Sequence, residues 1–310
     1  MSEWPELNIG EFFWQDIQPF LEKRGYILRP RYHPGWVGSW KTTGKKIRYC
    51  EDSIPIRHPN VLDARRLSDD LHVALKVVST GRNEISIVQY LSSKDDPRNR
   101  AVPILDIIPL PGDDNQALLV MPFLRPFDTP AFSSALECIE LIHQLLQGME
   151  FFHEHNITHM DACRGNIMMD ASRLIPEGFH PANIFTNEPE GIGHILRHRK
   201  RSEVSPLLYY FVDFGLSCQF PSFVSRKMLR GKAGQDKSVP EFSKEKPYDP
   251  FRVDIYQLGG VFQTLIDDYD VMEWLKPLVD VMRNSDPLKR PNATQALLQL
   301  EDLICSEAFT

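Results

Sequence analysis

The sequence predicts an α+β fold of two lobes, a small antiparallel β-sheet lobe with one helix followed by a larger, mainly α-helical lobe. Three observations predict it. Apolar runs of strand length alternate with turns as far as Met121, helical spacing of apolar residues begins soon after, and 310 residues with 42% hydrophobic content suffice for two modest cores. The expected organisation is an extension packing on the small lobe over 1–45, the small lobe and its connecting segment over 46–124, and the large lobe over 125–310, interrupted by an inserted loop at about 171–207.

The elements follow in order. Residues 9–24 place Phe13, Ile17, Phe20 and Leu21 at helical spacing, with Pro19 expected to kink or restart the helix. Leu71 to Val78 is β-branched and apolar and reads as a buried strand with the ammonium of Lys76 near its end. Counting back from Lys76, the turn between the first two strands falls near Ile54 to Pro59. Glu84 opens a short helix in which Ile85, Val88 and Leu91 repeat every third residue, so its carboxylate can turn inward and hold Lys76. A strand ends at Met121, and Pro122-Phe123-Leu124 connects the lobes; Pro122 has no N–H, which leaves Leu124 as the backbone donor there. Ile139, Ile142, Leu146 and Met149 mark one face of a long helix. Ile167-Met168-Met169 reads as a short buried strand after an exposed loop, and Tyr209-Tyr210-Phe211-Val212 as a second strand that delivers Asp213 to its end, where Gly215 permits a tight turn. The Pro- and Gly-bearing stretch between Asp170 and Leu207 is unsuited to regular structure and carries the basic run Arg197-His198-Arg199-Lys200-Arg201.

Five short motifs give the chain its chemistry through their order: Val73-Ala74-Leu75-Lys76, Glu84, His159-Met160-Asp161 with Asn166, Asp213-Phe214-Gly215, and Val239-Pro240-Glu241. Each is weak alone; their succession resembles a eukaryotic protein kinase. Transfer of the γ-phosphoryl group of ATP depends on positioning and on stabilising negative charge, so the required parts are cations, metal ligands and one carboxylate. The resemblance implies a bilobal kinase fold with Lys76 as phosphate cation, Glu84 as its anchor, Asp161 as the base that accepts a substrate hydroxyl proton, Asn166 and Asp213 as Mg2+ ligands, and Met121 and Leu124 facing the adenine. Downstream, Glu241 is expected to pair with Arg290, and Asp254 to brace the loop of Asp161 from a central helix. Small-molecule kinases share the His-x-Asp-x-x-x-x-Asn loop without that set, so the implied acceptor is Ser or Thr of a protein.

Several segments narrow the likeness. Leu21 to Trp40, Glu51-Asp52-Ser53-Ile54, Asp96-Pro97-Arg98-Asn99, Val120-Met121-Pro122 and Gln235 to Glu241 look like the fungal-type protein kinases of mushroom-forming fungi, over nearly the whole chain. Three departures stand against the common pattern. The Ile54–Pro59 stretch has no glycine, although a phosphate-cradling loop needs glycine for close backbone approach; Gly35 and Gly38 substitute if the strand order is read differently. Met160 replaces the arginine that binds an activation-loop phosphate. Cys163 replaces the lysine two residues after the base, leaving Arg164 as the cation that could reach the γ-phosphate. Cys163 itself reads as an unreactive small side chain, with a redox role as the alternative. Beside the active kinase stand a pseudokinase, acting as a nucleotide-binding scaffold, and a small-molecule kinase.

A net charge of −7 argues against a nucleic-acid partner. Five scattered cysteines suit a reducing compartment and supply no disulfide framework. With no signal-peptide core and no run of 18 apolar residues, the chain is expected to be free of membranes, intracellular and cytoplasmic. The basic run 197–201 is a solvated loop by default, with docking of acidic substrates or nuclear targeting as alternatives. The histidines at 153, 155 and 159 lack partners for a zinc site, and His159 reads as a packed structural residue.

Overall fold

The chain enters through α1 (Ile9–Lys23) and continues through β1 (Tyr26–Ile27), α2 (Trp40–Thr43), β2 (Val61–Arg66), β3 (Leu71–Ser79), α3 (Glu84–Ser92), β4 (Asp106–Pro109) and β5 (Gln116–Pro122). There follow β6 (Arg125–Pro126), α4 (Ala135–Glu154), β7 (Ile157–Thr158), β8 (Ile167–Met169), α5 (Arg201–Val204), β9 (Tyr209–Phe211), β10 (Cys218–Gln219), α6 (Pro250–Asp268), α7 (Lys276–Met282) and α8 (Ala293–Glu307). This computed structural model describes residues 7–189, 191, 193, 195–232, 234–243 and 246–307. The fold is mixed α and β. Two compact units arise, one from the stretches 1–79, 104–124 and 171–204, the other from 80–103, 125–170 and 205–310.

The first unit is organised by an antiparallel sheet of order β1-β2-β3-β5-β4. Alternation of side chains puts Leu62, Ala64, Val73, Leu75, Leu118 and Val120 on one face, where they are buried against Trp14 and Leu21 of α1. Each leucine or valine among them contributes roughly 1.5–3 kcal/mol of burial. Trp14 satisfies its indole N–H on the Pro59 carbonyl at 2.9 Å. The helix continues through Pro19 without restarting, since Pro19 is exposed and the carbonyl its ring displaces can turn to water. Below α1, Arg31 makes a fully buried two-point ion pair with Glu11 at 2.8 and 2.9 Å, and the Tyr32 hydroxyl donates to the same carboxylate.

One expectation in this unit fails. The strand that precedes β2 in the sheet is not just before Ile54 but at Tyr26–Ile27, paired as Tyr26↔Arg66 and Ile27↔Arg65. Between Leu28 and Asn60 the chain leaves the sheet, and residues 47–49 and 51–53 form single 3-10 turns. The reason is burial. Tyr26 and Leu28 alternate into the core, whereas Lys46, Arg48 and Tyr49 are exposed and offer no face to bury. Gly35, at φ +74°, therefore lies in a long excursion rather than a tight strand-to-strand turn.

The second unit is built around α4 and α6. Ile142, Leu146 and Met149 of α4 are fully buried, as their spacing requires. Two small ladders carry the loops of interest: β8 pairs with both β6 and β9, and β7 pairs with β10. Glu241 and Arg290 form the expected pair, bidentate at 2.7 and 2.8 Å and buried, with Arg290 also donating to the carbonyls of Arg252 and Asn284.

Candidate active site

In the second unit, β7 delivers the chain to Met160, which takes φ +66°, a left-handed conformation disfavoured for a side-chain-bearing residue. Asp254 of α6 holds it there. Fully buried, it accepts the His159 N–H on Oδ2 at 2.8 Å and the Met160 N–H on Oδ1 at 2.7 Å, which is the bracing expected of it. Gln257, one turn along, accepts from Ala162 N–H and donates to the Met160 carbonyl, both at 3.2 Å. The strapped loop presents Asp161, whose Oδ2 accepts from Asn166 Nδ2 at 2.9 Å; the same Nδ2 donates to the Asp161 carbonyl at 3.0 Å.

Asp213 follows β9 and also adopts positive φ, +63°, with its carboxylate accepting the Gly215 N–H at 3.2 Å. Phe214 anchors this turn, buried against the rings of Phe152 and His159 at 5.6 and 4.8 Å. Glu84, the first residue of α3, is buried beside it. A Cβ on Gly215 would lie 3.0 Å from Asp213 Oδ1 and 3.3 Å from Glu84 Oε2, so the closeness of these groups depends on glycine. Glu84, Asp161, Asn166 and Asp213 thus all belong to the second unit.

The first unit holds Lys76, Met121 and Leu124. Ala74 lies opposite Asp63 and Met121, and Lys76 opposite Val61 and Leu119, so these residues share the sheet face turned away from α1. That face also carries a charged network that sequence reading missed. Arg29 donates to Asp63 at 3.1 Å and to Glu51 at 2.7 Å, His72 lies 3.3 Å from Asp63, and His180 of the inserted loop lies 3.4 Å from Glu51. Burial raises both carboxyl groups toward neutrality, but the neighbouring His and Arg donors prevail and hold Asp63 and Glu51 below the ordinary carboxylate range. Phe123 stacks on His72, Phe179 of the inserted loop tilts against Phe123, and Arg57 donates to the Ala182 carbonyl. A cavity of about 720 Å³ lies among Arg29, Asp63, His72, Phe179 and His180. No motif signals this assembly, since its members come from widely separated stretches of the chain.

Other expected residues are placed as follows. Arg164 is half exposed and turned to acidic partners, at 2.6 Å from Asp128 and 3.4 Å from Asp268. The cation expected near the γ-phosphate is thus paired with two carboxylates in this structure. Cys163 is buried, and burial with the nearby Asp161 charge pushes its thiol up to about 11, the opposite of an activated thiolate. His153 contacts Asp254, His155 the Phe151 carbonyl and His159 the Val212 carbonyl, and burial lowers the pKa of His159, as suits a packed neutral ring. Within the basic run, Arg201 is buried at the start of α5 and Arg197 pairs with Glu177 at 2.7 Å, so the run is partly spent inside its own loop. Among the described residues no helix is long and apolar enough to cross a membrane.

Asn166 and Asp213 are the hard oxygen donors at this place: Asn166 spends its Nδ2 on Asp161, its Oδ1 accepts from Gln235 Nε2 at 3.2 Å, and Asp213 adds a carboxylate. Among the described residues no cluster of three or more His, Cys, Asp or Glu could hold a metal ion.

No protein-family model matches the chain. It is 26% identical over 180 residues to "Serine/threonine-protein kinase ppk8" of Schizosaccharomyces pombe, covering 57% of this chain and 28% of that protein. It is 27% identical over 135 residues to "Probable serine/threonine-protein kinase KKQ8" of Candida glabrata, covering 42% of this chain and 13% of that protein. The matches therefore span less than a third of either relative. Two distant likenesses to proteins named as serine/threonine kinases, met by a site with these carboxylates and this strapped loop, support a protein-kinase-like function at the level of the family.

Proposed function

We propose that the chain is an ATP- and Mg2+-dependent protein kinase of the bilobal fold, akin to the fungal-type kinases its segments resemble, and that it transfers the γ-phosphoryl group to Ser or Thr of a protein. The observation that carries this reading is the loop from Met160 to Asn166, strapped to Asp254 so that the carboxylate of Asp161 and the carboxamide of Asn166 are joined at 2.9 Å. A base and a metal ligand held in that way are what in-line transfer requires.

Each residue has a stated task. Asp161 accepts the proton of the substrate hydroxyl and orients its oxygen. Asn166 and Asp213 offer oxygen ligands, Lys76 a cation for phosphates, Glu84 the anchor of that cation, and Met121 and Leu124 the adenine-facing contacts. Bound Mg2+-ATP supplies the phosphoryl group and offsets its charge. Arg164 is left out, because Asp128 and Asp268 hold it. The proposed partners are ATP and a protein substrate, with neither nucleic acid nor membrane, in the cytoplasm.

A second reading, a nucleotide-binding scaffold without catalysis, is favoured by one feature. The chain between β1 and β2 makes a long excursion instead of a tight glycine turn joining the two strands, and the inserted loop packs Phe179 and His180 onto Phe123 and Glu51 beside the Lys76 face. Transfer from labelled ATP to the protein itself and to peptides, compared with Asp161→Ala and Asp213→Ala, decides between them. Transfer to Ser or Thr that vanishes in both variants supports the kinase. Magnesium-dependent ATP binding without transfer sinks it in favour of the scaffold.

A further inference from the structure

Gln235 sits at the centre of the acidic site, and the motif roles above leave it unassigned. Its backbone N–H donates to Asp161 Oδ1 at 2.7 Å. Its Nε2 donates to Asp161 Oδ2 at 3.4 Å and to Asn166 Oδ1 at 3.2 Å, one acceptor for each amide hydrogen. The preceding residue makes the approach possible. Gly234 has φ +77°, and a Cβ there would lie 2.6 Å from Asp161 Oδ1 and 3.0 Å from the Met160 carbonyl. The amide oxygen lies over Gly165, where a Cβ would meet Oε1 at 3.0 Å. Two glycines therefore clear the space that the Gln235 side chain and backbone fill.

The groups that donate to the Asp161 carboxylate through these bonds are neutral amides. Cys163 stands where the resembled kinases carry a lysine, and Arg164 is engaged by Asp128 and Asp268. We propose that Gln235 is a positioning residue of the transfer site, a neutral two-point clamp that fixes the Asp161 carboxylate and the Asn166 carboxamide against each other in place of the missing lysine. The inference rests on Asp161 being the base of the proposed reaction.

Other titratable groups border Asp161. His159 Nδ1 accepts the Asp161 N–H at 3.3 Å, the Cys163 thiol lies beside the carboxylate, Lys237 bonds the Gly234 carbonyl, and Asp254 faces the loop from α6 through backbone N–H groups.

The test uses the full chain with Gln235→Glu, Gln235→Ala and Gln235→Lys, each checked for folding by circular dichroism; Gln235 is exposed, so the fold tolerates them. The side-chain NH2 resonances of Asn166, assigned by their loss in Asn166→Asp, are followed by NMR for exchange with solvent, and kcat and the KM for ATP are measured. Loss of the clamp in Gln235→Ala should quicken that exchange severalfold and lower kcat about tenfold with the KM for ATP unchanged, and Gln235→Glu and Gln235→Lys, which remove the amide donors, should do the same. Exchange as slow in Gln235→Ala as in the wild type overturns the clamp, as does a kcat indifferent to alanine in a protein that transfers phosphate. If the wild type transfers nothing while exchange quickens in Gln235→Ala, the kinase reading falls and the hold of Gln235 on Asn166 and Asp161 stands.

Discussion

Replacing Asp254 should expose how much of the site is held by a single buried carboxylate. In Asp254→Ala the N–H groups of His159 and Met160, at 2.8 and 2.7 Å from their acceptors, lose them in a region closed to water. Each buried, unsatisfied donor costs about 1–3 kcal/mol, so the pair sums to about 4 kcal/mol. Met160 at φ +66° then has less to keep it in a strained conformation. Asp254→Asn retains one acceptor oxygen and turns an NH2 group to the other N–H, so about half of that loss is expected. His153 is only partly buried and can exchange its contact with Asp254 for water. Urea unfolding followed by Trp fluorescence gives the free energies, and amide hydrogen exchange at His159 and Met160 locates the change. An alanine variant within about 1 kcal/mol of wild type, with both amides as protected as before, would refute the reasoning.

Three further outcomes follow from the same structure. Arg290→Ala leaves the Glu241 carboxylate buried without its bidentate partner and should cost about 3–5 kcal/mol in urea unfolding, with Arg290→Lys intermediate; a loss below about 1 kcal/mol would count against a structural role for the pair. Asp63 is held below its ordinary pKa of 3.8, so its contribution is present above that value and is lost as pH falls through the depressed one. The stability gap between wild type and Asp63→Asn should therefore shrink between about pH 5 and pH 2, and a constant gap over that range would contradict it. Cys163, with its thiol pushed up to about 11, should react with iodoacetamide at neutral pH more slowly than exposed Cys305, and labelling of Cys163 first would restore the redox alternative.

Local pattern carried much of this structure. The β-branched run at 71–78 became β3, the three-residue repeat after Glu84 became α3, and the spacing from Ile139 to Met149 became α4, because each buries a face that its own periodicity defines. The Glu241–Arg290 pair and the brace from Asp254 were expected from the likeness of their motifs to those of protein kinases, not from local pattern. The partners of Arg164 were not legible: Asp128 and Asp268 lie far from it in sequence, and nothing local announces that they converge on it. That α1 continues through Pro19 rather than restarting was not legible either, because the cost of a proline depends on whether its face meets water or core.

The sequence by itself determined that Lys76, Glu84, Asp161, Asn166 and Asp213 stand in a kinase-like order, since that depends on residue type and succession. Tertiary structure alone decided which groups touch. It moved the first strand to Tyr26–Ile27, gave Arg164 to two carboxylates, joined Arg29, Asp63, Glu51 and His180 from distant stretches, and set Gln235 against Asp161. Contacts between residues remote in sequence are fixed by the packing of whole elements, and hydrogen bonds that hold over 2.7 to 3.4 Å cannot be read from a spacing along the chain.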